Sequence, residues 1–194
     1  MNKRPKQTAA TRAKIMAAYM EIAKEKGTQN TTVRNVTQKA GINRSTFYEY
    51  FIDVYDLLDQ YENTLLENAH QELAELELSL LGKSDDSYNP LTALSGITVN
   101  VINSFGDDVF FLMGRQGDPA FREKLTDFLL PLLKEFFIPD ESDIPHADYV
   151  LAFTISAING TLTHWHQTGH TISDTEVVTL IETILNSGLG SYCR

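Results

Sequence analysis

A short polar run in the N-terminal quarter of the sequence has the clearest chemical potential. Arg44, Ser45 and Thr46 offer guanidinium and hydroxyl groups, and Phe47 and Phe51 follow four residues apart, so one helical face is polar and the other apolar. Arginine is the usual bidentate partner of guanine, and a helix with polar outer positions fits the major groove of DNA, which is about 12 Å wide. The pattern therefore indicates a helix that contacts base edges.

Further hydroxyl groups flank this run. Tyr48 and Tyr50 can donate hydrogen bonds to phosphates. Thr32 and the free N–H groups at the start of its helix can contact phosphates in the same way. These residues predict contacts to a nucleic-acid backbone beside the base-reading helix.

The elements that must position these residues are predicted as a helix-turn-helix with one helix ahead of it. Thr32 and Asn43 are predicted N-caps, and Gly27 and Gly41 are predicted to end the helices before them. Ala40 beside Gly41 is small, which allows the second and third helices to cross closely. The three predicted helices are about Thr8–Lys26, Val33–Ala40 and Arg44 to about Tyr50. Their predicted core residues are Ile15, Tyr19, Ile22, Ala23, Val33, Val36, Ala40, Phe47 and Phe51.

The net charge of −10 conceals a strong asymmetry along the chain. Residues 1–50 hold ten basic and three acidic side chains, a balance of +7, whereas the other 144 residues hold six basic and 23 acidic ones, a balance of −17. A positive head on a negative body is expected when only the head meets a polyanion. No apolar run reaches the roughly 18 residues needed to span a bilayer, and the single Cys193 cannot form an intrachain disulfide. We therefore expect a cytoplasmic protein without membrane contact.

The stretch TTVRNVTQKAGINRSTFYEYF, followed by DVYDLL, resembles the DNA-binding domain of TetR-family transcriptional regulators. The resemblance is close over roughly residues 10–60. It implies DNA-backbone contacts from Thr32, Arg34, Tyr48 and Tyr50, and contacts at or near base edges from Asn43, Arg44, Ser45 and Thr46.

The sequence departs from the family pattern at two positions. Val54 stands at the start of the long helix where the family often has a lysine, which implies one phosphate contact fewer and a salt dependence lower by about one unit of slope. Ser45 replaces a common glycine and adds a hydroxyl group. Further along, GDPAFREKL and FTISAINGTLTHWHQTG are similar to the branch that includes regulators of dihydroxyacetone kinase operons.

The rest of the chain is predicted to be helical, which makes the protein all-α with about nine helices. A long helix over residues 54–81 presents a predicted apolar stripe of Leu57, Tyr61, Leu65, Ala69, Leu73, Leu76 and Leu80. Residues 82–90 and 139–145 are predicted loops, and the other helices are predicted at about 91–105, 107–114, 119–137, 146–168 and 174–189. Pro131 is expected to bend or divide the third of these. The predicted domains are a helix-turn-helix DNA-binding domain, 1–53, and a helical ligand-sensing and dimerisation domain, 54–194.

A homodimer is predicted, because a single recognition helix contacts too few bases to be selective. The last two helices are expected to form the interface as a four-helix bundle. Close approach is expected at Ala152, Ala157 and Gly160, and apolar area from Val177, Leu180, Ile181, Ile184 and Leu185.

By analogy with the family, a small-molecule effector is expected in the C-terminal body. The aromatic candidates to contact it are Phe105, Phe110, Phe111, Phe121 and Trp165, although core packing explains them equally well. His166 and His170 have the spacing of two ligands on one helical face, but no nearby cysteine or carboxylate set completes four ligands. Neither a metal nor a cofactor is predicted.

No enzyme signature is present: the sequence contains no GxGxxG, P-loop, HExxH or GxSxG pattern. The predicted function is a sequence-specific, effector-modulated regulator acting as a repressor on an operator in double-stranded DNA. Two alternatives stay open. One is a protein-responsive co-regulator or activator, which would expose an apolar patch. The other is an adaptor that has lost DNA binding, for which Val54 is the hint.

Overall fold

The computed structural model describes residues 3–81, 106–137 and 146–188, and these form eight α-helices and one 3-10 turn without any strand. The helices are α1 Lys3–Lys26, α2 Val33–Ala40, α3 Arg44–Tyr48, α4 Val54–Leu81, α5 106–113, α6 Phe121–Phe137, α7 Ala147–Gln167 and α8 Asp174–Ser187, with the 3-10 turn at Thr28–Asn30. The predicted all-α class is confirmed. The predicted helix at 91–105, both predicted loops and Cys193 lie outside the described residues.

Several helix boundaries differ from the predicted ones. α1 begins at Lys3, before the predicted Thr8. Pro5 is compatible with this earlier start, because N–H groups in the first turn have no partner within the helix. α3 ends two residues earlier than predicted, because the N–H of Tyr50 bonds Phe47 O at 3.0 Å in a tighter turn. α6 runs through Pro131 without dividing.

The chain divides into two compact units. The first contains Met1–Leu65 and Phe111–Phe121, and the second contains Leu66–Phe110 and Arg122–Arg194. The first unit extends beyond the predicted domain boundary at residue 53, because the start of α4 and the α5–α6 turn pack with the first three helices. Its fully buried side chains include Ile15, Tyr19, Val36, Phe47, Phe51, Leu57, Leu112 and Phe121.

The buried face of α4 matches the predicted stripe only in part, since Leu57 and Ala69 are buried as predicted. Leu58, Glu62 and Leu66 are buried in steps of four, whereas Tyr61 and Leu65 are only half-buried. The side chains of Leu73, Leu76 and Leu80 lie outside the described part. The prediction passed over position 62 because it carries an acid. Burial raises the pKa of Tyr19, and the nearby Glu62 carboxyl, which is 1% exposed, raises it further.

The turn between α5 and α6 is anchored to the end of α1 within the first unit. The Thr28 N–H donates to Gln116 O at 2.9 Å, and the Thr28 hydroxyl donates to Gly117 O at 2.6 Å. Gly117 leaves no room for a side chain, because a Cβ there would lie 2.1 Å from Leu112 O. The unit that carries the helix-turn-helix therefore also includes the first part of α4 and the turn between α5 and α6.

Candidate nucleic-acid interface

The helix α2 has the predicted N-cap and the predicted end. Thr32 Oγ1 accepts a hydrogen bond from the Asn35 N–H at 3.3 Å, and its hydroxyl donates to Asn35 Oδ1. Gly41 ends the helix in the left-handed conformation, with φ 61°, which a glycine adopts without strain. Val36 and Ala40 are buried against the rest of the first unit. Thr32 itself is exposed, as a phosphate contact requires.

The helix α3 is fixed from behind by aromatic packing. Phe47 is fully buried, and its ring centroid lies 5.7 Å from that of Phe51 and 5.5 Å from that of Tyr48. Asn43 occupies the N-cap position, but its side chain makes no capping hydrogen bond, so the predicted capping role is wrong. The main chain of Asn43 is extended, as is usual at an N-cap, and the residue is exposed to solvent.

The outer face of α3 carries the predicted base-edge residues. Asn43, Arg44 and Ser45 are exposed, and Thr46 is half-buried. The guanidinium of Arg44 lies 6.0 Å over the Tyr48 ring, and its Nη2 donates to Tyr48 Oη at 3.4 Å. This contact holds Arg44 along the helix surface with most of its donors still available.

The predicted phosphate contacts surround this face. Arg34 is exposed on α2, and Tyr48 is 50% exposed on α3. Tyr50 is half-buried, with its ring centroid 6.5 Å from that of Phe51. All eight predicted DNA-contact residues thus lie on or beside α2 and α3, and each keeps at least part of its side chain in solvent.

The positive charge of the head is less available than the sequence balance of +7 indicates. Arg12 donates to Gln60 Oε1 at 2.9 Å and lies 5.9 Å over the Phe51 ring, so its guanidinium is engaged within the head. Lys39 forms an ion pair with Glu21, and the hydrogen bond to that carboxylate raises the Lys39 pKa. Counting charges along a sequence misses such internal pairs.

Two carboxylates, Asp53 and Asp56, flank Val54 at the start of α4. Asp53 Oδ1 accepts from the N–H groups of Tyr55 and Asp56 at 2.8 and 2.9 Å. Asp56 Oδ2 accepts from the Ile52 N–H at 2.7 Å, and Val54 is half-buried. These carboxylates accept from amides at the helix start and just before it, so a phosphate would meet negative charge there.

Two family models match this chain. Residues 15–61 match the model described as bacterial regulatory proteins, tetR family, and residues 100–187 match the model described as transcriptional regulator C-terminal region. The first match contains the whole helix-turn-helix. The chain belongs to the TetR family. Neither description names a branch, so membership of the dihydroxyacetone kinase branch stays a prediction.

Individual relatives agree with this family. The HTH-type transcriptional regulator YvdT of Bacillus subtilis (strain 168) is 36% identical over 62 residues, which is 32% of this chain and 32% of YvdT. The match thus spans about a third of that relative's length.

Solved structures extend the likeness to the whole fold. The fatty acid degradation regulator FadR from Bacillus halodurans has a TM-score of 0.70 at 16% identity, over 92% of this chain and 96% of that one. FadR from Bacillus subtilis, in complex with stearoyl-CoA, has a TM-score of 0.64 at 17% identity, over 91% and 98%. At such identities the likeness shows the fold alone.

The structure describes four of the five effector candidates of this TetR-family chain. In the second unit Phe110 and Trp165 are buried with ring centroids 6.3 Å apart, and Trp165 Nε1 donates to Ile172 O at 2.7 Å. Phe111 and Phe121 belong to the first unit, and Phe105 lies outside the described residues. A single site lined by all five stays a prediction.

His166 near the end of α7 and His170 just beyond it pack on this aromatic pair. His166 stacks on Phe110 with centroids 5.0 Å apart, and His170 stacks on Trp165 at 4.0 Å. His166 Nε2 also lies 3.2 Å from Asp107 Oδ1. Within 3–81, 106–137 and 146–188, no group of three or more His, Cys, Asp and Glu side chains could hold a metal ion. None of the helices in these ranges has the length and apolar character to cross a bilayer.

Six of the eight residues predicted for the dimer interface on the last two helices are exposed or half-buried, and the other two are buried. Ala152 and Gly160 are exposed and Ala157 is half-buried, as an interface would need. Leu180, Ile184 and Leu185 are half-buried on α8. Val177 and Ile181 are 1% and 6% exposed, because they fill the core of their own chain, so they cannot supply interface area as predicted.

Sequence reasoning missed the exposed apolar residues at the start of α7. Tyr149, Val150 and Phe153 are 79%, 51% and 67% exposed. Tyr149 and Phe153 are four residues apart and so share a helical face with no internal core to fill. The signal for them was the width of the apolar pattern, which is broader than one buried face of α7 needs.

Proposed function

We propose that this TetR-family protein is a sequence-specific transcriptional repressor whose operator affinity is changed by a small molecule bound in its C-terminal region. The observation that carries the proposal is the outer face of α3. Polar side chains from Asn43 to Thr46 stand in or partly in solvent in front of the buried Phe47. A helix end fixed from behind and polar in front is the element that reads a major groove.

Each polar group has a distinct role in this proposal. Arg44 reads a base, and guanine is the favoured partner because it accepts two hydrogen bonds from arginine. The contact with Tyr48 already orders the Arg44 side chain. Thr32, Arg34, Tyr48 and Tyr50 bind phosphates and set the register. The carboxylates Asp53 and Asp56 exclude a phosphate from the start of α4. The footprint on the DNA backbone is therefore centred on α2 and α3.

We also propose that a second copy of the chain covers the exposed face of α7. TetR-family regulators bind DNA and form dimers. Tyr149, Val150 and Phe153 continue along α7 into the small residues Ala152 and Gly160, which allow close helix approach. Two-fold symmetry then places two α3 helices about 34–36 Å apart, one DNA turn, or a multiple of it.

The effector proposed here carries a long acyl chain. The solved structure of Bacillus subtilis FadR, which has the same fold, is that of its complex with stearoyl-CoA. The second unit of this chain is rich in buried apolar groups, including Phe110, Ile155 and Trp165. An acyl chain would bind among these apolar groups, because burying its methylene groups is favourable. A ligand that favours a state unable to bind DNA by about 1–3 kcal/mol would change operator affinity by about 5–150-fold.

Selection of bound duplexes from a random DNA pool, with the full chain as bait, tests the DNA-binding part. The expected result is a pseudo-palindrome whose half-sites are one helical turn or a multiple apart. A pool without enrichment would reject the repressor and favour the adaptor that has lost DNA binding. A single half-site without symmetry would reject the dimer but keep the reader helix. A DNA target also accounts for the predicted cytoplasmic location.

Titration of the selected operator complex with stearoyl-CoA, free stearate and CoA alone tests the effector. We expect stearoyl-CoA and free stearate, which both carry the long hydrocarbon chain, to release the operator. CoA alone is expected to have no effect. If none of the three changes the affinity, the acyl proposal fails while the DNA-binding proposal stands. The exposed face of α7 also fits a protein-responsive co-regulator, and a chain that is monomeric at micromolar concentration would favour that alternative.

A further inference from the structure

A continuous set of hydrogen bonds joins α1 to the segment that leaves the recognition helix. Arg12 Nη2 on α1 donates to Gln60 Oε1 at 2.9 Å, and Gln60 Nε2 donates to Asp56 Oδ1 at 3.0 Å. Asp56 Oδ2 accepts from the Ile52 N–H at 2.7 Å, four residues beyond the end of α3. Each successive bond is within normal hydrogen-bond length.

The same arginine also contacts the aromatic anchor of the recognition helix. Arg12 Cζ lies 5.9 Å from the centroid of the Phe51 ring, and Phe51 is 2% exposed with its centroid 5.7 Å from that of Phe47. The Arg12 and Gln60 side chains are half-buried, so solvent screens these contacts less than surface ones. Two routes thus lead from Arg12 to the residues that hold α3, one through Phe51 and one through Gln60.

Gln60 is the only link in this set that must both accept and donate. Its carbonyl oxygen faces a cation and its NH₂ faces a carboxylate. An ionised glutamate could accept from Arg12 but could not donate to Asp56, and a lysine could donate but not accept. A side-chain amide of this length at position 60 is therefore required by the two partners.

We propose that Gln60 is a positioning residue for DNA reading. It couples Arg12 to Asp56 and so fixes the orientation of α3 relative to the turn that leads into α4. This inference rests on the proposed DNA-binding function. Gln60 does not belong to the reading face, since it lies on α4 and bonds Arg12 of α1 and Asp56 of α4. It acts on selectivity, because base contacts need the helix end held within a fraction of an ångström, whereas phosphate attraction tolerates displacement.

The test compares Gln60→Met with Asn63→Leu in the full chain. Both changes replace an amide by an apolar group of similar length without changing the charge. Asn63 Nδ2 donates to Asp59 Oδ2 at 3.1 Å on the exposed side of the same helix, so Asn63→Leu removes a similar bond that does not reach α1. Affinity is measured for the selected operator and for a scrambled duplex over a series of salt concentrations.

We expect Gln60→Met to weaken operator binding about 10-fold while scrambled-DNA affinity and its salt slope stay as in the wild type. Asn63→Leu is expected to leave the ratio of operator to scrambled affinity within about 2-fold of the wild type. Gln60→Glu keeps the bond to Arg12 and loses the donor to Asp56, so its ratio is expected to fall as well. A purely structural role would weaken both duplexes together through partial unfolding, which circular dichroism and urea denaturation would detect.

Amide hydrogen exchange over residues 44–52 provides a readout that needs no DNA. Gln60→Met is expected to raise exchange in this segment, including at Ile52, and Asn63→Leu is not. Unchanged exchange together with an unchanged affinity ratio would overturn the positioning role. If the wild type itself prefers no duplex over scrambled DNA, the proposed function fails. A raised exchange in Gln60→Met would then still show that Gln60 restrains residues 44–52, but not that it serves DNA reading.

Discussion

At the scale of single residues, base selectivity is expected to depend first on Arg44. Its guanidinium is already placed along α3 by Tyr48, so binding a base costs little further ordering of the side chain. Arg44→Ala is expected to cost about 1–3 kcal/mol on the selected operator and to relax the preference at one base pair of each half-site. Competition with operators changed at single positions measures this preference.

Arg34→Ala is the matched control, because it removes the same charge from α2 rather than from α3. It is expected to weaken all duplexes by similar factors and to lower the salt slope by about one unit. If selectivity at every position survives Arg44→Ala, Arg44 is not a base reader.

A second residue-scale prediction concerns the capping box of α8. The Ser173 N–H and hydroxyl donate to Glu176 Oε2 at 2.8 and 2.7 Å, and these hydrogen bonds, the backbone one first, lower the pKa of Glu176 below its ordinary value of 4.5. A carboxyl whose pKa falls on folding stabilises the protein above its unfolded pKa, and this contribution is lost as pH falls through the folded pKa.

Urea denaturation of the wild type and Glu176→Gln at a series of pH values tests this sign. The wild type is expected to be the more stable at neutral pH, and the difference is expected to narrow as pH falls below about 4.5. Ser173→Ala removes one of the two donors to Glu176. The difference in stability between the wild type and Ser173→Ala is therefore expected to narrow in part as pH falls. A difference that does not depend on pH would contradict the assignment.

The limits of sequence reasoning at this scale come from partners distant in sequence. The burial of Phe47 and Phe51 was predictable, because their spacing and size leave no other role. The burial of Glu62 was not, since a local pattern places an acid in solvent. Likewise the bond from Arg12 to Gln60 spans 48 positions, and nothing local indicates it.

At the scale of elements, the turn between α5 and α6 is expected to depend on Thr28. Thr28→Val keeps the shape of the side chain but leaves the buried Gly117 O without its hydroxyl donor. This change is expected to lower the free energy of unfolding by about 1–3 kcal/mol. Thr126→Val is the control, because Thr126 Oγ1 donates to Arg122 O at 2.8 Å on an exposed helix surface. Urea denaturation of both variants decides; equal losses would mean that the docked turn contributes no particular stability.

The elements themselves were largely predictable, and their docking was not. Thr32 and Gly41 bracket α2 at the observed residues because capping is local chemistry. The start of α1 was missed by five residues, since the preceding positions carry no apolar period to mark it. The docking of Gly117 on Thr28 depends on residues 89 positions apart, so the sequence pattern contains no sign of it. The candidate DNA-contact set was within reach because it lies in one stretch of 19 residues, 32–50.

At the scale of the whole molecule, DNA selectivity is expected to require two copies of the chain. One α3 offers about four side chains to base edges, whereas a two-fold pair offers twice as many over two half-sites. The exposed face of α7 that would join the copies is centred on Phe153, which is 67% exposed. A lysine there would bury one charge from each copy in an apolar interface, because an isologous interface uses the same patch of both subunits.

Phe153→Lys is therefore expected to give a monomer by light scattering at micromolar concentration, with helicity unchanged because the wild-type side chain fills no core. Gln71→Lys adds one positive charge at an exposed position of α4 and is expected to stay dimeric. Operator affinity of Phe153→Lys should fall at least about 100-fold, since each half-site then binds without the other, while scrambled-DNA affinity changes little. A dimeric Phe153→Lys would move the interface away from α7. A monomer that still binds the full operator tightly would show instead that one head is enough, and the symmetric reading of two half-sites would be wrong.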